Sequence, residues 1–283
     1  MTWFELFKFT KESLKKIKKA DFRSEAGIIF EYYFKMDRVS LLINGQENIK
    51  MGAYEKVKEI ISKRQKNIPL QYILGSWEFM GFKFKVGDGV LIPREDTSVL
   101  VNESVKILNK KIRPYIVDLC SGSGCIAILL DKILTNNPQI CAVEISKKAF
   151  EYLEENIKIN KSNILSINAD AFEFYKKFDD ESLDAVVSNP PYVKNFEIEN
   201  LEEEVKQEPI LALNGGEDGL DFYKKICKFW FSKLKRGGVI AFEIGKGQFK
   251  DVKKIMQLHG FGEIRGVKDI NEIIRVIIGI KKQ

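Results

Sequence analysis

The chain has 283 residues, of which 45% are hydrophobic and 30% charged, and its formal net charge is +6. This balance is typical of a folded globular protein with more than one domain, and it excludes a disordered or fibrous chain. The sequence has no apolar run long enough for a signal peptide or a membrane span, so we expect a cytoplasmic protein with no membrane association.

The cysteines are Cys120, Cys125, Cys141 and Cys227. They lack the paired spacing of metal sites and the density of secreted disulfide scaffolds, so we expect reduced thiols and no metal. Lysines are spread along the chain among many acidic residues, which is typical of a solvated surface. The composition therefore does not favour direct binding to nucleic acid.

The N-terminal part of the chain has apolar residues at helical spacing. Ile28, Ile29, Tyr32 and Tyr33 are one example, and the pattern predicts a small helical domain over residues 1–68. Residues 69–93 break this period with glycines among aromatic residues, which predicts a β-hairpin linker.

Residues 94–283 are predicted to form the second domain, which starts with a helix over about residues 96–110. Apolar runs then follow at 115–119, 140–143, 164–167, 183–187, 239–242, 261–267 and 273–280, and helical segments separate most of them. This alternation predicts an α/β fold with a doubly wound, mainly parallel sheet. The last two runs have no helix between them, so we expect an antiparallel pair.

The first predicted strand of this domain leads into a loop of small residues. The strand end and loop contain Asp118, Cys120, Ser121, Gly122, Ser123 and Gly124. A helix is predicted to begin at once, so nearly bare backbone would meet a nucleotide-like ligand at a helix N-terminus. Glu144 ends the next strand, where a carboxylate accepts hydrogen bonds from ribose hydroxyls.

Glycine spacing alone leaves two cofactors open. Gly122, Gly124 and Ala127 also fit a dinucleotide-binding fingerprint. The acid within the first strand and the short second strand that ends in an acid favour S-adenosylmethionine, which would leave as S-adenosylhomocysteine. A candidate adenine contact follows the third strand and comprises Asn168, Ala169, Asp170 and Ala171.

An Asn-Pro-Pro-Tyr motif follows the fourth predicted strand and comprises Asn189, Pro190, Pro191 and Tyr192. Each proline fixes its own φ and holds the preceding residue extended, so the Asn189 side chain and the Pro190 carbonyl form a rigid pair of acceptors. We assign both to catalysis and all four motif residues to the acceptor site. Asn189 is assigned to the cofactor site as well.

The motif indicates methylation of a planar nitrogen. An amide nitrogen is a poor nucleophile, and two acceptors for its N–H groups would hold it and stabilise the positive charge that develops during methyl transfer. Tyr192 would pack against the planar group. Direct transfer from a sulfonium then requires mainly positioning, without a protein nucleophile.

Over nearly its whole length the chain resembles the release factor glutamine methyltransferases, the PrmC or HemK family. The resemblance is carried by residues 69–75, 90–94, 118–124, 189–192, 208–209 and 215–220. It implies a seven-stranded Rossmann-like class I methyltransferase domain with a helical, substrate-docking N-terminal domain. The implied reaction methylates the glutamine amide of the Gly-Gly-Gln motif in bacterial class I peptide chain release factors, and Arg94 is implied at the substrate site.

The sequence departs from the family pattern at three positions. Glu95 stands where a second proline is common, and Glu144 replaces the more usual aspartate. Ala171 lies where some relatives place a large aromatic residue, which leaves open whether Ala171 or Phe172 contacts the adenine.

Other substrates and roles fit the same motif. An adenine amino group in DNA or ribosomal RNA and a ribosomal protein glutamine both present a planar nitrogen. A protein that keeps the fold and cofactor site but only binds the translation machinery is an alternative of another class. The intact motifs favour an enzyme.

Overall fold

The computed structural model describes residues 1–17 and 21–282. The chain divides into two compact units, and the first consists of Met1–Gly75 together with Glu203–Gln207. The second unit consists of Ser76–Glu202 and the chain from Glu208 onward. No helix within the described ranges has the length and apolar character that crossing a membrane requires.

The first unit is helical, as the apolar spacing predicts. Its helices are α1 (Trp3–Leu14), α2 (Phe22–Phe34), α3 (Arg38–Asn44), α4 (Ala53–Gln65) and α5 (Leu70–Leu74). A capping box starts α1: the Glu5 N–H donates to Thr2 Oγ1 at 3.3 Å, and the Thr2 N–H donates to Glu5 Oε2 at 2.8 Å. Apolar faces of the helices meet in a core that includes Leu6, Phe30 and Ile60.

A buried arginine ties three segments of this unit together. Arg64 on α4 is fully buried, and its Nε and Nη2 donate to the two carboxylate oxygens of Glu25 at 2.8 and 2.7 Å. Nη2 also donates to Glu204 Oε1 at 2.7 Å, and Nη1 donates to the Ile68 carbonyl at 2.8 Å. The segment 203–207 is thus held in the helical unit by the ion pair of Glu204 with the buried Arg64.

The expectation of a hairpin over residues 69–93 is wrong for its first part. Residues Leu70–Leu74 form α5, which starts after Pro69 and ends at Gly75 in the left-handed conformation, with φ 73°. The hairpin itself is β1 (Ser76–Phe79) paired with β2 (Phe82–Lys85). Met80 and Gly81, at φ 50° and 80°, form the two-residue turn that suits the twist of the strands.

The second unit contains a seven-stranded sheet in the order β5-β4-β3-β6-β7-β9-β8. Its strands are β3 (Tyr115–Leu119), β4 (Gln139–Glu144), β5 (Leu165–Asn168), β6 (Leu183–Ser188), β7 (Leu234–Glu243), β8 (Phe261–Lys268) and β9 (Ile274–Lys281). Strand β9 is antiparallel to both neighbours, and the other pairs are parallel. The predicted fold class and the antiparallel final pair are both confirmed.

Helices cover both faces of this sheet. The long ones are α6 (Thr97–Leu108), α7 (Cys125–Ile133), α8 (Lys147–Ile159), α12 (Asp221–Trp230) and α13 (Phe249–Leu258), and the short ones are α9 (Ala171–Phe174), α10 (Asn195–Ile198) and α11 (Ile210–Leu213). Successive strand residues point to opposite faces, so Ile116 packs in the core under α7 while Val117 packs in the core under α12.

The strand order places a crevice at the carboxyl ends of two central strands of the sheet. The chain passes from β3 outward through β4 to β5 and then returns to β6 on the other side of β3. Such a reversal leaves a gap beyond the carboxyl ends of β3 and β6, where open α/β sheets bind ligands. The glycine loop follows β3 and the Asn-Pro-Pro-Tyr motif follows β6, so both lie at this crevice.

Candidate active site

A cavity within the second unit occupies this crevice, and most of the predicted site residues line it. These are Arg94, Cys120, Ser121, Gly122, Ser123, Glu144, Asp170, Ala171, Asn189 and Pro191. Gly124, Pro190 and Tyr192 lie next to lining residues in the chain, and Asp118 lies two positions before Cys120, but none of these four is part of the wall. The fold thus brings the predicted cofactor loop and Asn189 to one cavity.

The glycine loop has a backbone that side chains would obstruct. Gly124 begins α7 at φ 81°, and a Cβ added there would lie 2.3 Å from Leu153 Cδ1. Cys120 is itself left-handed, at φ 58°. Burial raises the pKa of its thiol, so Cys120 stays protonated and acts as a small wall residue rather than a nucleophile.

Glu144 connects the end of β4 to the glycine loop. Its Oε2 accepts from the Gly122 N–H at 2.8 Å, and its Oε1 accepts from the Ser146 N–H at 2.7 Å. Burial raises the pKa of this carboxyl, and the backbone donors oppose that shift. Each oxygen keeps further acceptor capacity beside the cavity, which fits a ribose diol.

Asp118 lies fully buried behind the same loop. Among the described residues, neither carboxylate oxygen meets a donor at hydrogen-bonding geometry. Burial raises the pKa of Asp118 to about 8. The Ser121 hydroxyl and the Ala127 N–H oppose this shift. A ligand that carries positive charge, such as a sulfonium compound, would also stabilise the ionised form of this buried carboxyl.

The far wall of the cavity is built from the start of α9. Asp170 caps this helix by accepting from the Phe172 N–H at 2.8 Å. Ala171 and Phe172 both line the cavity, together with Phe222, whose ring centroid lies 5.6 Å from that of Phe172. Phe172 therefore supplies an aromatic surface on the wall where the sequence left the adenine contact open.

The Asn-Pro-Pro-Tyr motif is held from both ends. Ser188 Oγ, just before it, donates to the Leu119 carbonyl at 2.6 Å, and Gln248 Nε2 donates to the Tyr192 carbonyl at 3.0 Å. Tyr192 points into the protein, where burial raises its pKa and its hydroxyl lies 3.5 Å from Glu243 Oε1. The acceptor roles of Pro190 and Tyr192 stay predictions.

Sequence reasoning missed two polar residues behind Asn189. Asn189 Nδ2 lies 3.4 Å from Thr97 Oγ1, and the Thr97 hydroxyl donates to Glu243 Oε2 at 2.6 Å. Glu243 is buried at the carboxyl end of β7, and burial raises its pKa to about 7. An acid directly after the apolar run 239–242, at the carboxyl end of a strand beside the crevice, is the signal that could have found it.

Arg94 and Glu208 form an ion pair in the same unit. Glu208 is buried and its Oε2 also accepts from the Ile92 N–H at 3.1 Å, whereas Arg94 is partly exposed and lines the cavity. The paired carboxylate fixes the guanidinium at the wall and leaves it free donors for a ligand.

The sheet order is that of the class I Rossmann-like methyltransferase fold. The hMettl16 catalytic domain in complex with MAT2A 3'UTR hairpin 1 has a similar fold, with a TM-score of 0.60 and 16% identity over 94% of this chain and 93% of that one. A methyltransferase from Pyrococcus furiosus has a TM-score of 0.56 and 18% identity, over 78% of this chain and all of that one.

Family comparisons identify the chain more closely. The PrmC N-terminal domain family matches residues 5–75, and the methyltransferase small domain family matches residues 97–212. Release factor glutamine methyltransferases from Thermodesulfovibrio yellowstonii and Clostridium acetobutylicum are 42% and 35% identical, over 90% and 95% of this chain and 91% and 94% of theirs. The chain belongs to the release factor glutamine methyltransferase family.

Proposed function

We propose that this enzyme transfers a methyl group from S-adenosylmethionine to the side-chain amide nitrogen of the glutamine in the Gly-Gly-Gln motif of bacterial class I release factors. The observation that carries the proposal is the joining of the glycine loop, Glu144 and Asn189 in one cavity of a chain that belongs to this family. We propose a cytoplasmic location as well, because translation terminates there.

The cofactor site is assigned to one half of the cavity. Glu144 would accept from the ribose hydroxyls, the loop from Cys120 to Gly124 would pass close to the amino acid part, and Asp170 with Phe172 would enclose the adenine. S-adenosylmethionine supplies an electrophilic methyl group on a sulfonium. That positive ligand would favour the ionised form of the buried Asp118 carboxyl, and by the same coupling the carboxyl would favour the ligand.

The acceptor site is assigned to the other half. The Asn189 side-chain oxygen and the Pro190 carbonyl would accept the two N–H bonds of the glutamine amide and direct its nitrogen toward the methyl group. Tyr192 would support the planar amide, and Arg94 would donate to the backbone around it. Both acceptors stabilise the amide as it gains positive charge, after which the surplus proton leaves to water.

The helical unit is proposed to dock the protein substrate. Its own family match over residues 5–75 and its separate core support a role apart from the cavity. Methylation of DNA, ribosomal RNA or a ribosomal protein is not favoured, because the relatives with high identity over nearly the whole chain are release factor glutamine methyltransferases.

An acceptor comparison tests the proposed function. Purified enzyme is incubated with methyl-labelled S-adenosylmethionine and, in separate reactions, with a release factor, ribosomal RNA, ribosomal protein and DNA. We expect label on the release factor alone. Label on another acceptor with none on the release factor would overturn the substrate assignment and leave the methyltransferase fold unaffected. A protein that binds S-adenosylmethionine and labels no acceptor would be a binding protein.

A further inference from the structure

We propose that Thr97 and Glu243 are positioning residues that set the orientation of the Asn189 side-chain amide. The inference rests on the proposed function, because it assigns Asn189 the task of accepting an N–H bond from the substrate. It concerns residues outside the glycine loop and outside the Asn-Pro-Pro-Tyr motif.

An asparagine amide has two ends of similar shape and opposite hydrogen-bonding character. If the nitrogen of Asn189 faced the substrate, its N–H bonds would meet the N–H bonds of the glutamine amide. Catalysis therefore requires that the oxygen face the cavity and the nitrogen face the protein. Proline residues fix the backbone of the motif, but they do not choose between the two ends of the side chain.

The hydrogen-bond chain behind Asn189 makes this choice. An ionised Glu243 only accepts, so Thr97 must donate its single hydroxyl hydrogen to Glu243 Oε2, at 2.6 Å. Thr97 Oγ1 then has only lone pairs left, and it can receive a hydrogen from Asn189 but give none. The nitrogen of Asn189 lies on this side, 3.4 Å from Oγ1.

Neighbouring elements fix both positioning residues. Thr97 is buried at the start of α6, and the preceding Asp96 pairs with Arg275 on β9, with 3.1 Å between Asp96 Oδ2 and Arg275 Nε. Glu243 is buried at the end of β7, where Tyr223 donates to its backbone carbonyl at 3.0 Å. The two residues of this hydrogen-bond chain therefore lie on a strand and at a helix end, which place side chains more precisely than a loop does.

Besides burial, charged and titratable groups around Glu243 shift its pKa in opposite directions. Asp96 opposes its ionisation, whereas Arg275 and the hydroxyls of Thr97 and Tyr192 favour it. When Glu243 gains a proton it can donate as well as accept, and the direction of the hydrogen bonds from Asn189 through Thr97 is no longer fixed. Acid should therefore loosen the orientation of Asn189.

The test compares Thr97→Val, Thr97→Ser and Ser104→Ala in the full-length enzyme. Valine keeps the shape of Thr97 but removes the hydroxyl, and serine keeps the hydroxyl. Ser104 is the matched control, because it is on the same helix and its buried hydroxyl has no hydrogen-bond partner among the described residues. Single-turnover methylation of a release factor, S-adenosylmethionine affinity by calorimetry and thermal melting are measured for each.

We expect Thr97→Val to slow methyl transfer roughly tenfold to a hundredfold, the scale of losing a preorganised polar contact, with cofactor affinity unchanged. Thr97→Ser should recover most of the lost rate, and Ser104→Ala should match the wild type. In a labelled sample, the Asn189 side-chain amide resonances should shift in Thr97→Val and stay in place in Ser104→Ala.

A wild-type rate in a folded Thr97→Val enzyme, or equal losses in the valine and serine variants, would overturn the inference. Unmoved Asn189 resonances would also overturn it, and this readout needs no substrate. Failure of the proposed function would give a different result. The wild-type enzyme, with Thr97 in place, would itself leave the release factor unlabelled.

Discussion

Glu243→Gln is expected to stabilise the folded protein above neutral pH. Burial raises the pKa of Glu243 from 4.5 to about 7, so the folded protein holds a proton there that the unfolded chain releases. At about 1.4 kcal/mol per pKa unit, ionising this group above its folded pKa costs about 3 kcal/mol of unfolding free energy. Glutamine keeps an acceptor for Thr97 and carries no charge.

The sign of the pH dependence follows from proton binding. Between the unfolded pKa and the folded pKa of Glu243, the folded state binds more protons than the unfolded state, so stability falls as pH rises through this window. The glutamine variant lacks this contribution. The difference in unfolding free energy between variant and wild type should therefore grow through the window and level off above it. The contributions of other titrating groups cancel in this difference.

Urea unfolding of both proteins at a series of pH values measures this difference. Glu151→Gln, at an exposed position on α8, is the matched control and should follow the wild type at every pH. A constant difference between Glu243→Gln and wild type across the window would refute the reasoning. It would mean that Glu243 titrates as it does in the unfolded chain.

Two further predictions concern Asn189 and Arg64. Asn189→Ala should leave S-adenosylmethionine affinity nearly intact while slowing methyl transfer roughly a hundredfold or more, because a preorganised acceptor is lost. Single-turnover rates beside a cofactor titration check this, and unchanged turnover would rule out the acceptor role. Arg64→Met should destabilise the helical unit by about 3 kcal/mol, because the partly buried Glu25 and Glu204 lose their cation. Lys63→Met, which removes an exposed pair with Glu59, should leave the unfolding free energy nearly unchanged in urea unfolding, and a loss equal to that of Arg64→Met would contradict the role of burial.

Much of the fold could be predicted because its signals are local. The helices over residues 125–133 and 147–159 begin and end where their apolar period does, and the seven apolar runs all became strands. Helix α5 was missed because it is only 5 residues long, too short to show a period among the glycines that follow.

The polar supports of the site could not be predicted in the same way. Thr97 and Glu243 are 146 positions apart, and Arg64 and Glu204 are 140 apart, so each contact depends on the complete fold. Glu204 stands in a run of three acidic residues, a pattern typical of a solvated face, yet it pairs with a buried arginine. A charged side chain in the sequence gives no sign of whether a distant partner will bury it.

The site of methylation within the release factor tests the central claim most directly. Release factor is incubated with enzyme and methyl-labelled S-adenosylmethionine, digested, and sequenced by peptide mass spectrometry beside a variant with Gly-Gly-Ala in place of Gly-Gly-Gln. The account predicts one added methyl group, confined to the side chain of that glutamine and absent from the variant. Label that persists in the variant, or lies on another residue, would contradict it.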